Sequence, residues 1–316
     1  MLFAGAAAMT SGCSSDEFVA GIDGSGNRVY AQGSITAFGS IVVNDVHYEV
    51  DSASILVNGE NAFESDLALG QVVAVDATLD PEGNAIAETV NFEANLRGPI
   101  ESLDALSGIV VVLAQEVRTN VSTVFAIDPG VGVADLAVGD FVEVSGLVGA
   151  GGAIVATRVA GAAASDGLQL VGEASGLDNA AFSFSIGALD VDYSGAGLIE
   201  GFPFGGPQNG DTVLVRGDGL GIGGELLATR LRLIDDDSSN RRGQEAEVEG
   251  LITRFESLTD FDVAGQAARV TASTVYEGGD ASDLQPNVKI QIEGQFDLEG
   301  TIVAVKVEVK DGGAVQ

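Results

Sequence analysis

Asp66-Leu67-Ala68-Leu69-Gly70-Gln71-Val72-Val73-Ala74-Val75 decides how the chain is read. An acidic residue opens a short turn, a leucine follows, and a glycine leads into a run whose apolar residues alternate. Asp can cap a single helical turn, Leu can plug the open end of a barrel, and Gly provides a left-handed exit. The pattern returns as Asp135-Leu136-Ala137-Val138-Gly139 and as Asp283-Leu284-Gln285-Pro286-Asn287. At the corresponding point between them stands Phe202-Pro203-Phe204-Gly205-Gly206-Pro207, so the third barrel mouth is expected to differ.

Two further landmarks keep the same order around this turn. Upstream, a glycine precedes a large apolar residue by five positions: Gly33/Phe38, Gly98/Leu103, Gly172/Leu177 and Gly250/Phe255. Downstream, an alanine sits inside a closing strand, as in Ile86-Ala87-Glu88-Thr89-Val90, and recurs as Ala156, Ala228 and Ala304. Such self-similarity at roughly 70 residues is the signature of a repeat architecture. The boundaries give β-repeats at 29–93, 94–160, 161–237 and 238–316, the third divergent.

Each repeat reads as β. Val46, Tyr48 and Val50 alternate with His47, Glu49 and Asp51, and Ile290 and Ile292 alternate with Lys289, Gln291 and Glu293. Period-two alternation sends one set into a core and the other to water. Asn58-Gly59, Glu82-Gly83-Asn84, Gly151-Gly152, Gly223-Gly224 and Glu299-Gly300 read as hairpin turns. The expectation is an all-β protein of four tandem small β-barrels, OB-like in topology, strung as separate beads. A flat sandwich is the alternative.

At these landmarks the chain resembles a bacterial envelope family known as domain of unknown function 5666. The matching stretches are residues 37–44, 66–73, 135–146 and 154–159, with the lead-in Ala20-Gly21-Ile22-Asp23-Gly24-Ser25-Gly26. The motifs are turns and core positions. The resemblance implies tandem β-domains on secreted or lipid-anchored proteins and carries over no catalytic residue.

Residues 1–13, Met-Leu-Phe-Ala-Gly-Ala-Ala-Ala-Met-Thr-Ser-Gly-Cys, run from an apolar stretch through small residues to the one cysteine. This is the pattern of a secretory signal, and it resembles the lipobox of bacterial lipoproteins. It marks 1–12 as a signal peptide, Cys13 as the lipidated residue and 13–28 as a polar tether. Ser14 rather than Asp after the cysteine favours, by resemblance, the outer membrane. No run of about 18 apolar residues is present to form a spanning helix.

Composition narrows the chemistry. With 14 Lys+Arg against 47 Asp+Glu, the net charge is −33. That argues against nucleic acid, which needs a basic footprint, and against charge-driven docking on an anionic membrane. One Cys and one His leave no set for a disulfide framework, a Cys-rich zinc site or a multi-histidine metal site. His47 is expected to face solvent beside Glu49 rather than serve a triad. Gly217-Asp218-Gly219-Leu220-Gly221-Ile222-Gly223-Gly224 imitates a phosphate loop, but its position in the repeat is a hairpin and not a helix start. Asp23, Ser25 and Asn27 have the first spacings of a calcium loop, yet Arg28 stands where Gly is needed. Asp235, Asp236 and Asp237 read as a solvated linker. Paired carboxylates for glycoside hydrolysis stay open, though with no Trp and four Tyr (30, 48, 193 and 276) sugar platforms are few.

The expected function is therefore non-enzymatic, with no catalytic residue, metal or cofactor. The chain is read as a membrane-anchored envelope protein, held through lipid on Cys13, whose β-domains form a spacer or meet an envelope protein partner. The alternative is a ligand-binding module for cations or an oligosaccharide, centred on the third repeat. A hydrolase ranks last.

Overall fold

A computed structural model describes residues 28–128, 130, 132–234 and 240–310. The signal peptide, Cys13, most of the tether, the Asp23–Asn27 spacing and Asp235 to Asp237 lie outside the described residues. The protein is all-β, with 24 strands among the described residues.

In the first repeat the strands are β1 (Arg28–Ala37), β2 (Ile41–Val43), β3 (Val46–Glu49), β4 (Ser54–Val57), β5 (Glu60–Ala62), β6 (Val72–Leu79) and β7 (Ala85–Phe92). β1 pairs β2, β2 pairs β3, β3 runs parallel to β7, β7 pairs β6 and β6 returns to β1. The sheet thus closes into a ring.

The second ring uses β8 (Leu96–Asp104), β9 (Ile109–Val112), β10 (Gln115–Arg118), β12 (Phe141–Val148) and β13 (Ile154–Gly161), with β11 (Val124–Ala126) beside β13. The third uses β14 (Leu168–Asp178), β15 (Ser183–Ile186), β16 (Leu189–Asp192), β18 (Thr212–Leu220) and β19 (Leu226–Leu233), with β17 (Leu198–Glu200) beside β19. The fourth uses β20 (Glu245–Ser257), β21 (Asp260–Val263), β22 (Gln266–Glu277), β23 (Lys289–Phe296) and β24 (Ile302–Val309). All four close in the same order, each with one parallel pair.

The landmarks have physical causes. Gly33, Gly98, Gly172 and Gly250 lie under the turn between the second and third strands. An added Cβ would meet Asn44 Oδ1 at 2.0 Å, Leu113 Cγ at 2.9 Å, Ile186 Cγ2 at 2.3 Å or Ala264 Cβ at 2.6 Å. Leu67, Leu136 and Leu284 are buried after 3-10 turns at Glu64–Asp66, Val133–Asp135 and Ala281–Asp283. In each turn the Asp carboxylate accepts from a backbone N–H three residues back. Gly70, Gly139, Gly210 and Asn287 take the left-handed exit, at φ 81°, 94°, 93° and 69°. In the third ring Phe202 packs against the core where the others use leucine.

A register shift recurs where the last two strands of each ring pair, at Ala77, Gly146, Gly217 and Gly294. Such a bulge bends the strand and lets a short sheet close. A Cβ on Gly146 would stand 2.4 Å from the Val155 carbonyl oxygen. Gly146→Ala is expected to cost about 2 kcal/mol, read as a lower urea midpoint. Gly206→Ala, where nothing lies within 4 Å, should leave the midpoint in place.

The rings are not separate beads. Strands of the first and fourth rings form one 12-stranded sheet, and those of the second and third form another. β1 runs parallel to β20, from Val29 opposite Glu245 to Gln32 opposite Val248. β8 lies antiparallel to β14, with Arg97 opposite Gln169. The second and third rings share one apolar cluster, and Tyr30 of the first ring sits in the core of the fourth, 6.0 Å from the Phe296 ring. Gln291, whose alternation pointed it to water, is 5% exposed because it lies at this junction.

Candidate functional site

Polar side chains collect where the rings meet. Directly opposed residues of paired strands share a face, and one row crosses five strands: Glu143 on β12, Arg97 on β8, Gln169 on β14, Arg216 on β18 and Arg230 on β19. Against this row lies the β4–β5 turn of the first ring, Asn58-Gly59, at φ 51° and 75°. Asn58 Nδ2 donates to Glu143 Oε2 at 3.1 Å. Its Oδ1 accepts from Ala94 N at 2.9 Å and from Gln169 Nε2 at 3.2 Å. Its carbonyl accepts from Arg216 Nη2. One asparagine thereby joins three rings.

The charges around it are paired. Arg97 donates to Glu143 Oε2 from Nη2 at 2.6 Å and from Nε at 3.1 Å. Arg232 pairs with Glu93, and Arg230 with Glu200 at 2.7 Å. Burial raises the Glu93 carboxyl, opposed by the guanidinium groups of Arg232, Arg216 and Arg230. Burial likewise lowers Arg216. A buried pair adds little net stability but is costly to break, about 3–5 kcal/mol when one partner is lost. It fixes one arrangement against others.

Smaller contacts lock the remaining faces. Val72 N donates to Ser145 Oγ at 2.8 Å, Thr157 Oγ1 to the Gly70 carbonyl at 2.5 Å and Arg158 Nη1 to the Leu69 carbonyl at 3.1 Å. Gln115 Nε2 reaches the Ile186 carbonyl at 3.0 Å, second ring to third.

The first and fourth rings meet around Glu247 on β20. Asn44 Nδ2 donates at 3.1 Å to the carbonyls of both Gln32 and Glu247, and Gln291 Nε2 donates to Glu247 Oε1 at 2.7 Å. Burial pushes the Glu247 carboxyl up to about 8, with Glu293 and Asp45 adding to the rise and Lys306 and Lys310 opposing it. Tyr48 is raised by burial and by Glu247. Asn44 Oδ1, the Tyr48 hydroxyl and Gln291 Oε1 are buried without a hydrogen-bond partner.

The sequence candidates fall elsewhere. His47 is exposed on β3, its Nδ1 3.1 Å from Ser40 Oγ. The glycine-rich run 217–224 covers the end of β18 and its turn into β19, with no helix start. Among the described residues no group of three or more His, Cys, Asp or Glu is placed to hold a metal ion. The junction residues went unread because their partners on other rings lie 36 to 203 positions away.

Repeated closed β rings, packed on one another through buried polar junctions, define an all-β repeat protein. The sequence profile of a domain of unknown function (DUF5666) matches residues 32–91, 97–160 and 249–308, the first, second and fourth rings. The chain belongs to that family. No curated protein matches it.

Proposed function

We propose that this is a non-enzymatic, lipid-anchored envelope protein, held at the outer membrane through Cys13, whose four β-domains act as a spacer or protein-interaction module. In this reading each ring is an OB-like barrel, and the third is a fourth, diverged copy of the family domain. The observation that carries it is the use of Asn58, Glu143, Arg97, Gln169 and Arg216 to fix rings to one another. A module with joints so constrained presents its outer faces in a constant arrangement, as a spacer or docking platform requires.

Anchoring by several acyl chains is firm, whereas one chain binds marginally. Cys13→Ser is expected to move the full-length protein from the membrane fraction to the soluble fraction of fractionated cells. Unchanged partition would overturn the anchor.

A second reading, a ligand-binding module, is favoured by a groove on the third ring lined by Ser183, Ser185, Asp190, Asp192 and Glu225.

A further inference from the structure

Asn58-Gly59 is one of two Asn-Gly pairs in the chain, and Asn209-Gly210 is the other. In such a pair the glycine backbone nitrogen can attack the asparagine side-chain amide, because no glycine side chain obstructs the approach. Hydroxide takes the proton of the glycine N–H, the bond from that nitrogen to the asparagine Cγ forms, and the Cγ–Nδ2 bond breaks. Ammonia leaves with a proton from water, which returns the hydroxide. A second water opens the cyclic imide at either carbonyl and gives an aspartyl or an isoaspartyl residue. Nothing is oxidised or reduced, and water and hydroxide are the co-reactants.

The structure holds the two pairs in different ways. Asn209 is secured inside its own ring: its Oδ1 accepts from Leu177 N at 3.0 Å, and Gly210 N donates to the Ala174 carbonyl at 2.8 Å. Asn58 is secured from other rings. Its Nδ2 donates to Glu143 of the second ring, its Oδ1 accepts from Gln169 of the third, and its carbonyl accepts from Arg216 of the third. The turn is a further restraint, since φ is 51° at Asn58 and 75° at Gly59 and attack requires the chain to rotate out of that conformation. The same turn joins β4 to β5, with Val57 opposite Glu60, and β4 is the one strand that β5 pairs with. An edge hairpin of this kind is marginal without packing behind it. Gly59 is exposed, so hydroxide has access to its N–H.

We propose that Asn58-Gly59 is a self-modification site gated by the ring junction: docked rings hold it unreacted, and an opened junction lets it deamidate. Proteins open locally, in cooperative units, at lower cost than they unfold globally. Here the unit is the first ring leaving the second and third, which releases the Asn58 side chain and the hairpin that carries it. The product then blocks the return. An aspartyl carboxylate at position 58 faces Glu143 Oε2, to which the amide donated at 3.1 Å. An isoaspartyl link instead adds one carbon to the main chain of a two-residue turn. Opening, reversible at first, becomes permanent.

The test follows purified full-length protein at mildly alkaline pH, with deamidation at positions 58 and 209 quantified by peptide mass spectrometry. Wild type unfolded in guanidinium chloride gives the reference rate at each site. Folded wild type is expected to react at position 58 at least twentyfold more slowly than that reference. Glu143→Ala removes the acceptor of the Asn58 amide, and should speed position 58 at least fivefold while changing position 209 less than twofold. Glu299→Gln, exposed on the fourth ring, should change neither. In wild type, guanidinium chloride below the unfolding midpoint should speed position 58 at lower concentrations than position 209. Equal acceleration of the two sites in either experiment would overturn the proposal, because global unfolding would then be what exposes Asn58. An unchanged rate at position 58 in Glu143→Ala, or a folded wild type reacting there as fast as the unfolded chain, would overturn it too. Permanence has its own readout. The deamidated fraction, isolated by anion exchange and returned to native buffer, should show separated tyrosine-fluorescence and far-ultraviolet transitions, and the unreacted fraction coincident ones. A deamidated fraction that unfolds like wild type would remove the latch.

Discussion

Replacing Asn58 with alanine is expected to destabilise the protein by about 4 kcal/mol and to split its unfolding into more than one transition. The side chain satisfies Glu143, Ala94 N and Gln169 Nε2 at once, and Ala94 and Gln169 are fully buried. Each buried partner left unsatisfied costs about 1–3 kcal/mol. Alanine at φ 51° adds a left-handed backbone penalty of about 1 kcal/mol. Asn58→Gly removes the backbone part and isolates the side-chain loss.

Asn58→Asp is the sharper variant. It places a carboxylate oxygen where the amide donates to Glu143 Oε2, at 3.1 Å, so two acceptors face each other. Its penalty should shrink as the pH falls below the carboxylate range, while that of Asn58→Ala should not. Urea unfolding followed by tyrosine fluorescence and by far-ultraviolet dichroism measures both effects. Coincident probes in wild type and separated probes in the variant are the expected signature of rings uncoupled at a junction. A double-mutant cycle with Glu143→Gln should give a coupling of about 1 kcal/mol or more. An unshifted midpoint would mean that the rings are independent beads after all.

That junction marks the limit of what the sequence reveals. The ring was legible because its constraints are local: a glycine under a turn, an Asp three residues after the N–H it accepts from, a Gly or Asn at a left-handed exit. The bulge was legible too, as a small residue about ten positions before each landmark alanine, although the landmarks above do not include it. Alternation distinguishes the inside of a ring from its outside. It does not say whether the outside meets water, and so Gln169 and Gln291 look solvated while lying 0% and 5% exposed. The pairing of β1 with β20 joins strands from opposite ends of the described chain and has no local signature. Divergence of the third repeat was visible at 202–207, at the mouth.

Glu247→Gln is expected to stabilise the protein at neutral and alkaline pH and to change little in acid. In the folded protein the carboxyl titrates near 8, against an ordinary value of 4.5. Between those values the folded state holds a proton that the unfolded state has released, so stability falls as pH rises through this window and levels off above it. The contribution is full below 4.5 and lost above about 8. The groups facing it explain why ionisation is unfavourable. Glu293 and Asp45 repel a charge there, Lys306 is already held by Glu293 at 3.0 Å and by Glu277 at 3.1 Å, and Lys310 by Glu308 at 2.9 Å. The nearest donor, Gln291 Nε2, needs only an acceptor oxygen, which glutamine retains. With partial solvent access discounting the full shift, the variant should gain about 3 kcal/mol over wild type by pH 8. Urea midpoints at half-unit steps from pH 4 to 9 measure the difference between the two proteins, in which the other carboxylates cancel. A difference that is near zero at pH 4, grows to pH 8 and then stays level identifies Glu247 as the group. A difference independent of pH would show that the carboxyl between the first and fourth rings ionises in the folded protein at its ordinary pH, and that near neutrality the two rings are held together despite its charge rather than with its proton.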